Sequence, residues 1–325
     1  MPLWADNIMQ KNIVLVTGGA GFIGSNIVKT LVERAYVIKV LDNISTGYLK
    51  NLDSIMDKIE FIEGDINDSE LLNKILPGVN FVLHQAALPS VPRSIDDPIK
   101  SHHNNVTGTL NLLTAAKKNK VQRVVIASSS SVYGDREEEY KVETLKPQPL
   151  SPYAVTKYAS EVYCKVFSHI YDLETVCLRY FNVFGPQQDP NSPYSAVIPL
   201  FVKAIQNNQA PTIFGDGNHS RDFTFVQNNV EANILAMHSD KVGKGETINI
   251  ACGKSFSLIY LMDQINKILN KNIKANFTDN RPGDIKKSLA DISKAEKLLG
   301  YKPVINFDDG LKQTVDWLVK KNEKN

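Results

Sequence analysis

The sequence predicts an α/β protein with a doubly wound parallel sheet and a smaller mixed α/β lobe after it. Short apolar, β-branched runs alternate with helical stretches from Asn12 to Asn182, the pattern of parallel strands joined by right-handed crossovers. Polar residues follow these strands directly, at the sheet edge where such folds bind ligands. After Asn182 a segment rich in Pro, Asn, Gln and Asp marks the start of the second lobe.

The elements predicted for the first part are closely spaced. The predicted strands are 12–17, 37–41, 59–63, 79–84, 123–128 and 175–179, and the predicted helices are 25–34, 69–76, 98–118 and 152–171. For the second part we expect helices at 197–207, 229–238, 293–299 and 310–320, with strands near 222–226 and 247–250. The predicted division is an N-terminal extension at 1–11, a domain at 12–182 and a lobe at 183–325, with some strands or helices exchanged between the two.

A glycine-rich turn follows the first strand. Gly18, Gly21 and Gly24 fall in a G-x-x-G-x-x-G spacing between that strand and a helix, where glycines allow a tight turn and close approach to a diphosphate. The next strand ends at Asp42, placed to accept hydrogen bonds from an adenosine ribose and to repel a 2′-phosphate. This context predicts a Rossmann-type nucleotide site for NAD in preference to NADP.

A tyrosine and a lysine four residues apart form the candidate catalytic pair. Tyr153 and Lys157 share one face of a predicted helix, and a nearby ammonium favours the phenolate form of a tyrosine. Ser129, in a serine cluster after the preceding strand, can hold a substrate oxygen against the phenol. The spacing alone is weak evidence, but the nucleotide site beside it makes proton transfer the preferred interpretation over a solvated helix face.

Composition argues against several other classes of protein. The 325 residues carry a net charge of +2 with both signs interspersed, which gives no electrostatic footprint for nucleic acid. Apolar runs are too short to span a bilayer, and the first ten residues do not resemble a signal peptide. Cys164, Cys177 and Cys252 lack metal-like spacing and are expected to be reduced, as in a cytoplasmic protein. No metal site is predicted.

The motifs together resemble the extended short-chain dehydrogenase/reductases, and within them the nucleotide-sugar epimerases, most of all the UDP-N-acetylglucosamine 4-epimerases. The resemblance runs from Asn12 to the C-terminus. Its carriers, besides Ser129, Tyr153 and Lys157, are Thr17–Gly24, Leu41–Asn43, Gly64–Ile66, His84–Ala87, Ser90–Pro98, Asn105–Thr109, Val132–Gly134 and Arg179–Pro186. The chain departs from the family pattern at Gln227, where Asp is frequent.

The resemblance implies a set of binding residues. The implied NAD contacts are Gly18, Gly21, Phe22, Ile23, Asp42, Asn43, Thr46, Gly47, Asp65, Ile66, Gln85, Ala86, Ala87, Asn105, Tyr153, Lys157 and Tyr180. The implied UDP-sugar contacts are Ser90, Ser129, Ser130, Ser131, Tyr153, Asn182, Tyr194, Ala196, Val197, Arg221, Arg281, Asp284 and Ser288. The arginines suit a diphosphate because a guanidinium can donate two parallel hydrogen bonds to phosphate oxygens.

The implied reaction is reversible C4 epimerisation of a UDP-hexose through a 4-keto sugar, by transient hydride transfer to tightly bound NAD. A dehydratase of this scaffold has an Asp-Glu pair after the catalytic Ser or Thr, whereas this chain has Ser130 and Ser131. Epimerases of UDP-glucose/galactose or of UDP-glucuronate remain alternatives, as does a non-catalytic NAD-binding regulatory protein.

The resemblance also implies a sugar preference and a dimer. Ser288 occupies the position of a gate over the hexose 2-position, where a tyrosine would fill the space that an N-acetyl group needs. We therefore expect UDP-GlcNAc/UDP-GalNAc as the substrate pair. Helices 98–118 and 152–171 are expected to pair with their copies as a four-helix bundle, although the sequence alone also allows them to pack only on their own sheet.

Overall fold

The computed structural model describes residues 12–189, 196–279 and 287–322. The strands are β1 (Ile13–Thr17), β2 (Val37–Asp42), β3 (Glu60–Glu63), β4 (Phe81–His84), β5 (Arg123–Ser129), β6 (Glu174–Tyr180), β7 (Val183–Phe184), β8 (Thr212–Phe214), β9 (Ser220–Arg221), β10 (Thr224–Phe225), β11 (Lys244–Ile250), β12 (Phe256–Ser257), β13 (Asn276–Thr278) and β14 (Lys287–Ser288). The α-helices are α1 (Phe22–Glu33), α2 (Ser69–Ile75), α3 (Val91–Asp96), α4 (Pro98–His102), α5 (Gly108–Lys118), α6 (Pro152–Tyr171), α7 (Val197–Gln206), α8 (Val226–His238), α9 (Leu258–Leu269), α10 (Ser293–Leu299) and α11 (Phe307–Asn322).

Seven of the strands in the described residues form one parallel sheet in the order β11-β6-β5-β4-β1-β2-β3. The chain runs outward from β1 through β2 to β3, then returns to the other side of β1 and runs outward again from β4. The order therefore reverses between β1 and β4, where Thr17 lies opposite His84 at the strand ends. Open α/β sheets bind ligands at such a point, and the predicted fold class is confirmed.

Both faces of the sheet are covered by apolar side chains. Along β1, Val14 and Val16 join a cluster that packs on α1 and α8, whereas Leu15 joins a second cluster on the opposite face. The alternation follows from the two-residue period of a strand. Because both faces are buried, the strands are almost continuously hydrophobic, as in other all-parallel sheets.

The second lobe has its own core. Helices α7, α9 and α11 enclose a cluster that includes Phe184, Ile205, Leu261 and Leu311. The strands of this lobe form small sheets of two or three strands. The longest of these strands in the described residues have three residues. Strands this short carry no readable alternation of apolar and polar residues, which is why most of them were not predicted from the sequence.

Two elements beyond residue 182 return to the sheet. β11 pairs with β6, so that Thr247 lies opposite Cys177, and α8 contributes Val230 and Ile234 to the cluster on the sheet. The sequence-based division placed both in the second lobe while allowing for such an exchange. The division itself remains a proposal.

Several predicted bounds were wrong. The helix predicted at 98–118 consists of α4, a π-helical turn at His103–Thr107 and α5. Helix α1 begins at Phe22, three residues earlier than predicted, and α3 and α9 were not predicted at all. Among the described residues, no helix is both long and apolar enough to cross a membrane.

Candidate active site

A cavity of about 920 Å³ lies at the ends of the parallel strands, between the sheet and the second lobe. Its size is near the upper limit of ligand sites in proteins. The wall includes residues that directly follow β1, β2, β4, β5 and β6, and it includes residues of the second lobe, among them Ala196, Arg221 and Ser288. The polar groups that follow separate strands in the sequence therefore meet around one space.

The glycine-rich turn forms one end of this cavity. Gly18 has a φ of +68°, and a Cβ there would lie 2.6 Å from the backbone nitrogen of Ala86, so only glycine fits. Gly21 precedes the first turn of α1 and no side chain caps that helix. The free N–H groups in the first turn of α1 are thus available to an anion such as a diphosphate.

Asp42 ends β2 beside the glycine turn. Its Oδ2 accepts from Ala20 N at 2.9 Å and its Oδ1 from Ile44 N at 2.8 Å. Burial raises the pKa of Asp42, and these two backbone hydrogen bonds oppose that shift. The carboxyl is thus fixed in place with lone pairs left for a ribose. Together with the glycine turn, it makes the cavity a fitting site for a dinucleotide.

Ser129 and Tyr153 meet at the inner part of the cavity. Ser129 is the last residue of β5, and Tyr153 lies in the first turn of α6. That turn is fixed because Ser151 Oγ accepts from Ala154 N at 3.2 Å and Ser94 Oγ accepts from Tyr153 N at 3.0 Å. The Ser129 hydroxyl is close enough to the Tyr153 phenol to oppose the rise in the pKa of that phenol. A sugar hydroxyl placed here would meet both groups.

Lys157 lies one helical turn beyond Tyr153 on α6. Its Nζ donates to Ala127 O at 2.8 Å and lies 5.9 Å from the centroid of the Tyr153 ring. Burial lowers the pKa of Lys157 to about 8. Burial also raises the pKa of Tyr153 to about 12, and the Ser129 hydroxyl opposes that shift. Desolvation is thus the largest influence on the phenol in the protein without ligands, and the effect of Lys157 on the pKa of Tyr153 stays a prediction.

Most residues predicted from the sequence do line the cavity. They are Gly18, Gly21, Phe22, Ile23, Asp42, Asn43, Thr46, Ile66, Gln85, Ala86, Ala87, Ser129, Ser130, Ser131, Tyr153, Lys157, Tyr180, Asn182, Ala196, Arg221 and Ser288. Tyr194, Arg281 and Asp284 lie outside the described residues. The roles of all these residues remain proposals.

Five predicted residues stand behind the wall instead. Gly47 is buried and packs on the glycine turn, since a Cβ there would lie 2.9 Å from the carbonyl carbon of Ala20. Asp65 accepts from Asn43 Nδ2 at 2.7 Å.

The other three residues are Asn105, Ser90 and Val197. Asn105 Oδ1 accepts from Leu88 N at 2.6 Å and so fixes the segment after β4. Ser90, with a φ of +94°, caps α3, and Val197 begins α7. Each of these residues supports the cavity without facing it.

Some wall residues were not predicted. Arg93, Lys141, Lys50 and Lys321 line the cavity. Arg93 lies in the Ser90–Pro98 stretch but was not itself predicted, and the three lysines lie outside the motifs. Lys141 is buried, and its Nζ donates to the carbonyls of Arg136 and Glu138 at 2.6 and 2.7 Å. In the described part of the chain, no group of three or more His, Cys, Asp or Glu could hold a metal ion.

The comparisons with known proteins agree with this site. Residues 15–314 match the family model described as GDP-mannose 4,6 dehydratase. A putative UDP-glucose 4-epimerase of Methanocaldococcus jannaschii is 40% identical over 312 residues, which cover 95% of this chain and 99% of that protein.

Two solved structures are similar over nearly their whole length. One is a UDP-N-acetylglucosamine 4-epimerase from Methanobrevibacter ruminantium M1 in complex with UDP-N-acetylmuramic acid, with a TM-score of 0.92, 43% identity and coverage of 96% of this chain and 100% of that one. The other is a UDP-glucuronic acid 4-epimerase from Bacillus cereus in complex with UDP-glucuronic acid and NAD, with a TM-score of 0.88, 34% identity and coverage of 95% and 99%. The chain therefore belongs to the GDP-mannose 4,6-dehydratase family of extended short-chain dehydrogenase/reductases, alongside UDP-sugar 4-epimerases.

Proposed function

We propose that this protein interconverts the C4 epimers of a UDP-hexose with NAD as cofactor, and that UDP-GlcNAc and UDP-GalNAc are its preferred pair. One observation carries the proposal: Ser129, Tyr153 and Lys157 line the same cavity as the glycine turn. A proton-transfer group thus stands within reach of a nicotinamide and of a sugar at once.

The class of enzyme is confirmed at the coarser level. The relatives are UDP-sugar 4-epimerases, and the Bacillus structure contains NAD. The predictions of the family, of an NAD-dependent isomerase and of NAD as cofactor therefore hold. Which hexose is the substrate is part of the proposal, because the relatives include epimerases of UDP-glucose, UDP-glucuronic acid and UDP-N-acetylglucosamine.

The chain's own groups move one proton. When bound, NAD would supply the acceptor and then the donor of the C4 hydride. Tyr153 takes the proton of the sugar 4-hydroxyl, and Ser129 holds the same oxygen while its charge changes. After the 4-keto sugar has turned its other face to the nicotinamide, Tyr153 returns the proton. General acid–base help of this kind contributes about 10²- to 10⁴-fold to the rate.

The residues after Ser129 favour epimerisation over elimination. Elimination of water needs an acid near C6, and the two following positions hold Ser130 and Ser131, which cannot act as acids near neutral pH. Both serines line the cavity. The family's dehydratase name therefore does not extend to this chain's proposed reaction.

The preference for an N-acetylated sugar is supported by Ser288. This side chain lines the cavity and is only 9% exposed. Ser288 lies on β14, opposite Arg221 of β9, so its position in the wall is fixed by strand pairing. A hydroxymethyl group leaves the space that a larger side chain would occupy.

We also propose that the protein is a homodimer that works in the cytoplasm. On α6 the side chains of Val155, Val162, Val166 and Ile170 are 38–61% exposed, and their spacing places them along one side of the helix. Ile99 on the neighbouring α4 is 81% exposed. A contiguous apolar surface of this kind marks a protein interface. The free cysteines fit a reducing compartment.

The test is incubation of the purified protein with single UDP-sugars and no added nicotinamide. We expect NMR of the products to show UDP-GlcNAc and UDP-GalNAc converting into each other. Conversion of UDP-glucose/galactose or of UDP-glucuronate alone would refute the sugar preference. No conversion of any pair would refute the proposed activity.

A further inference from the structure

Glu161 is a buried carboxylate one helical turn beyond Lys157 on α6. Its side chain is 4% exposed, and its bidentate partner Arg179 is 3% exposed. Arg179 donates through Nε to Oε1 at 2.8 Å and through Nη2 to Oε2 at 2.7 Å. The hydroxyl of Ser128 donates to Oε1 at 2.5 Å. Both carboxylate oxygens are therefore engaged, although Glu161 does not line the cavity.

These bonds connect β5 and α6, the two elements that carry the catalytic residues, with the neighbouring strand β6. Ser128 precedes Ser129 at the end of β5, and Arg179, its register partner, lies on β6. Glu161 lies on the helix that carries Tyr153 and Lys157. The relative position of Ser129 and Tyr153 thus depends on a carboxylate that ties the strand end to the helix.

The same carboxylate acts on the charge of Lys157. Burial lowers the pKa of Lys157, and Cys177 and Glu161 oppose that shift. Two other titratable groups are close to Lys157: Tyr153 on the same helix, with its ring centroid 5.9 Å from Nζ, and His84 on β4. Burial and the Lys157 charge lower the pKa of His84 to about 3, so the imidazole is neutral at physiological pH and adds no charge.

We propose that Glu161 is a positioning residue of the Ser129–Tyr153–Lys157 centre. It holds Ser129 against Tyr153 through Ser128 and sustains the positive charge of Lys157, without touching sugar or cofactor. The inference rests on the proposed function for its kinetic consequences, but its effect on Lys157 is a property of the protein alone.

A merely structural ion pair would behave differently. Replacing both partners of a buried ion pair by apolar residues is often neutral for stability, whereas removing one partner leaves an uncompensated charge. A structural pair therefore predicts that a stable double variant has normal turnover. A positioning residue predicts slow turnover even in a variant that folds well.

The test compares Glu161→Gln with Glu174→Gln, which removes the carboxylate partner of another buried arginine, Arg123, at the far end of the same sheet. We expect Glu161→Gln to lower kcat at least about tenfold with KM for the UDP-sugar nearly unchanged. The alkaline limb of the pH profile should move to lower pH, because the lost carboxylate no longer favours the Lys157 ammonium. Glu174→Gln should leave kcat and the profile unchanged.

Two further measurements keep the test decisive if Glu161→Gln fails to fold or if the protein shows no activity. The double variant Glu161→Met/Arg179→Met should fold and still turn over slowly. An NMR titration of the labelled Lys157 side chain in Glu161→Gln should give a lower pKa than in the unmodified protein. Normal kcat in the double variant together with an unchanged Lys157 titration would overturn the inference. If the unmodified protein epimerises no sugar, the proposed function fails, while the titration still decides the effect of Glu161 on Lys157.

Discussion

Lys157 and Tyr153 are neighbours that do not bond to each other. The ammonium lies 5.9 Å from the centroid of the phenol ring, and its hydrogen bond goes to the carbonyl of Ala127. Burial acts on both groups and favours their neutral forms. Burial therefore favours the protonated phenol in the protein without ligands, and a positively charged group bound next to Tyr153 would oppose that shift.

Removal of the phenol hydroxyl tests its role as the proton carrier. Tyr153→Phe should lower kcat by about 10²- to 10⁴-fold and leave UDP-sugar binding largely intact, since the ring still fills the same space. NMR of the product epimers and calorimetric binding of the UDP-sugar measure the two effects. Tyr158→Phe on the exposed face of the same helix is the control. Full activity of Tyr153→Phe would contradict the mechanism.

Lys157 is expected to reduce the stability of the nucleotide-free protein. Its folded-state pKa is lowered from 10.5 to about 8, so the unfolded chain binds more protons between these pH values. The free energy of unfolding should thus rise with pH across this window. The destabilisation caused by the buried ammonium is fully present below pH 8 and amounts to about 3 kcal/mol.

Replacement of this lysine separates stability from activity. Lys157→Met should raise the unfolding free energy near pH 7 by about 1–3 kcal/mol, less than the full penalty because the bond to Ala127 is lost. Turnover should fall at least about 10²-fold. Urea unfolding of the nucleotide-free proteins measures the first effect. A destabilised variant would show that the ammonium is better solvated than its burial implies.

Gly18 can be tested against a glycine of similar backbone conformation. Gly18→Ala combines a positive φ with a Cβ 2.6 Å from Ala86 N, whereas at Gly78, with a φ of +80°, the nearest atom to a Cβ is 3.9 Å away. We expect Gly18→Ala to lose bound dinucleotide and Gly78→Ala to retain it with a loss of about 1 kcal/mol in stability. The measurement is nucleotide per chain after purification. Equal retention in both would mean that the turn does not hold the diphosphate.

Ser288 is expected to set the sugar preference. Ser288→Tyr should reduce kcat/KM for UDP-GlcNAc at least about tenfold, since an overpacked site costs about 1–3 kcal/mol, and should retain activity on plain UDP-hexoses. Ser288→Ala keeps the space and should keep the N-acetylated substrates. Competition between UDP-GlcNAc and UDP-glucose, followed by NMR, gives the ratio. An equal loss on both sugars would argue for a general distortion of the wall.

A charge on the apolar side of α6 tests the homodimer. Val162→Glu places a carboxylate among side chains that a partner would bury, so size-exclusion with light scattering should report a monomer. Leu200→Glu, at a residue of α7 that is 48% exposed, should leave the mass unchanged. A monomeric unmodified protein would remove the proposal at once.

Local patterns were sufficient to predict the nucleotide side of the cavity. The strand before Gly18, the helix after it and Asp42 lie within about 30 residues, so their spacing alone brings them together. Asn105 shows the limit of this reasoning. The resemblance implies a contact of this residue with NAD. In the structure it occupies a π-helical turn and binds Leu88 from behind the wall, a detail that no periodicity reveals.

The substrate side depends on long-range pairing. Ser288 faces the cavity because β14 pairs with β9, 67 positions earlier in the chain, and strands of two residues leave no readable pattern. The acidity of Tyr153 is hard to predict for a similar reason. The spacing of Tyr153 and Lys157 fixes their proximity, but the degree of burial that decides both pKa values comes from the whole fold.

The pairing of β11 with β6 has a consequence for synthesis. When Tyr180 has left the ribosome, one edge of β6 still lacks its neighbour, because that neighbour ends only at Ile250. At ordinary translation rates the delay is on the order of several seconds, during which an open strand edge can recruit other chains. Nascent copies of this protein are therefore exposed to misassembly until the second lobe emerges, and chaperones that shield strand edges should raise its yield.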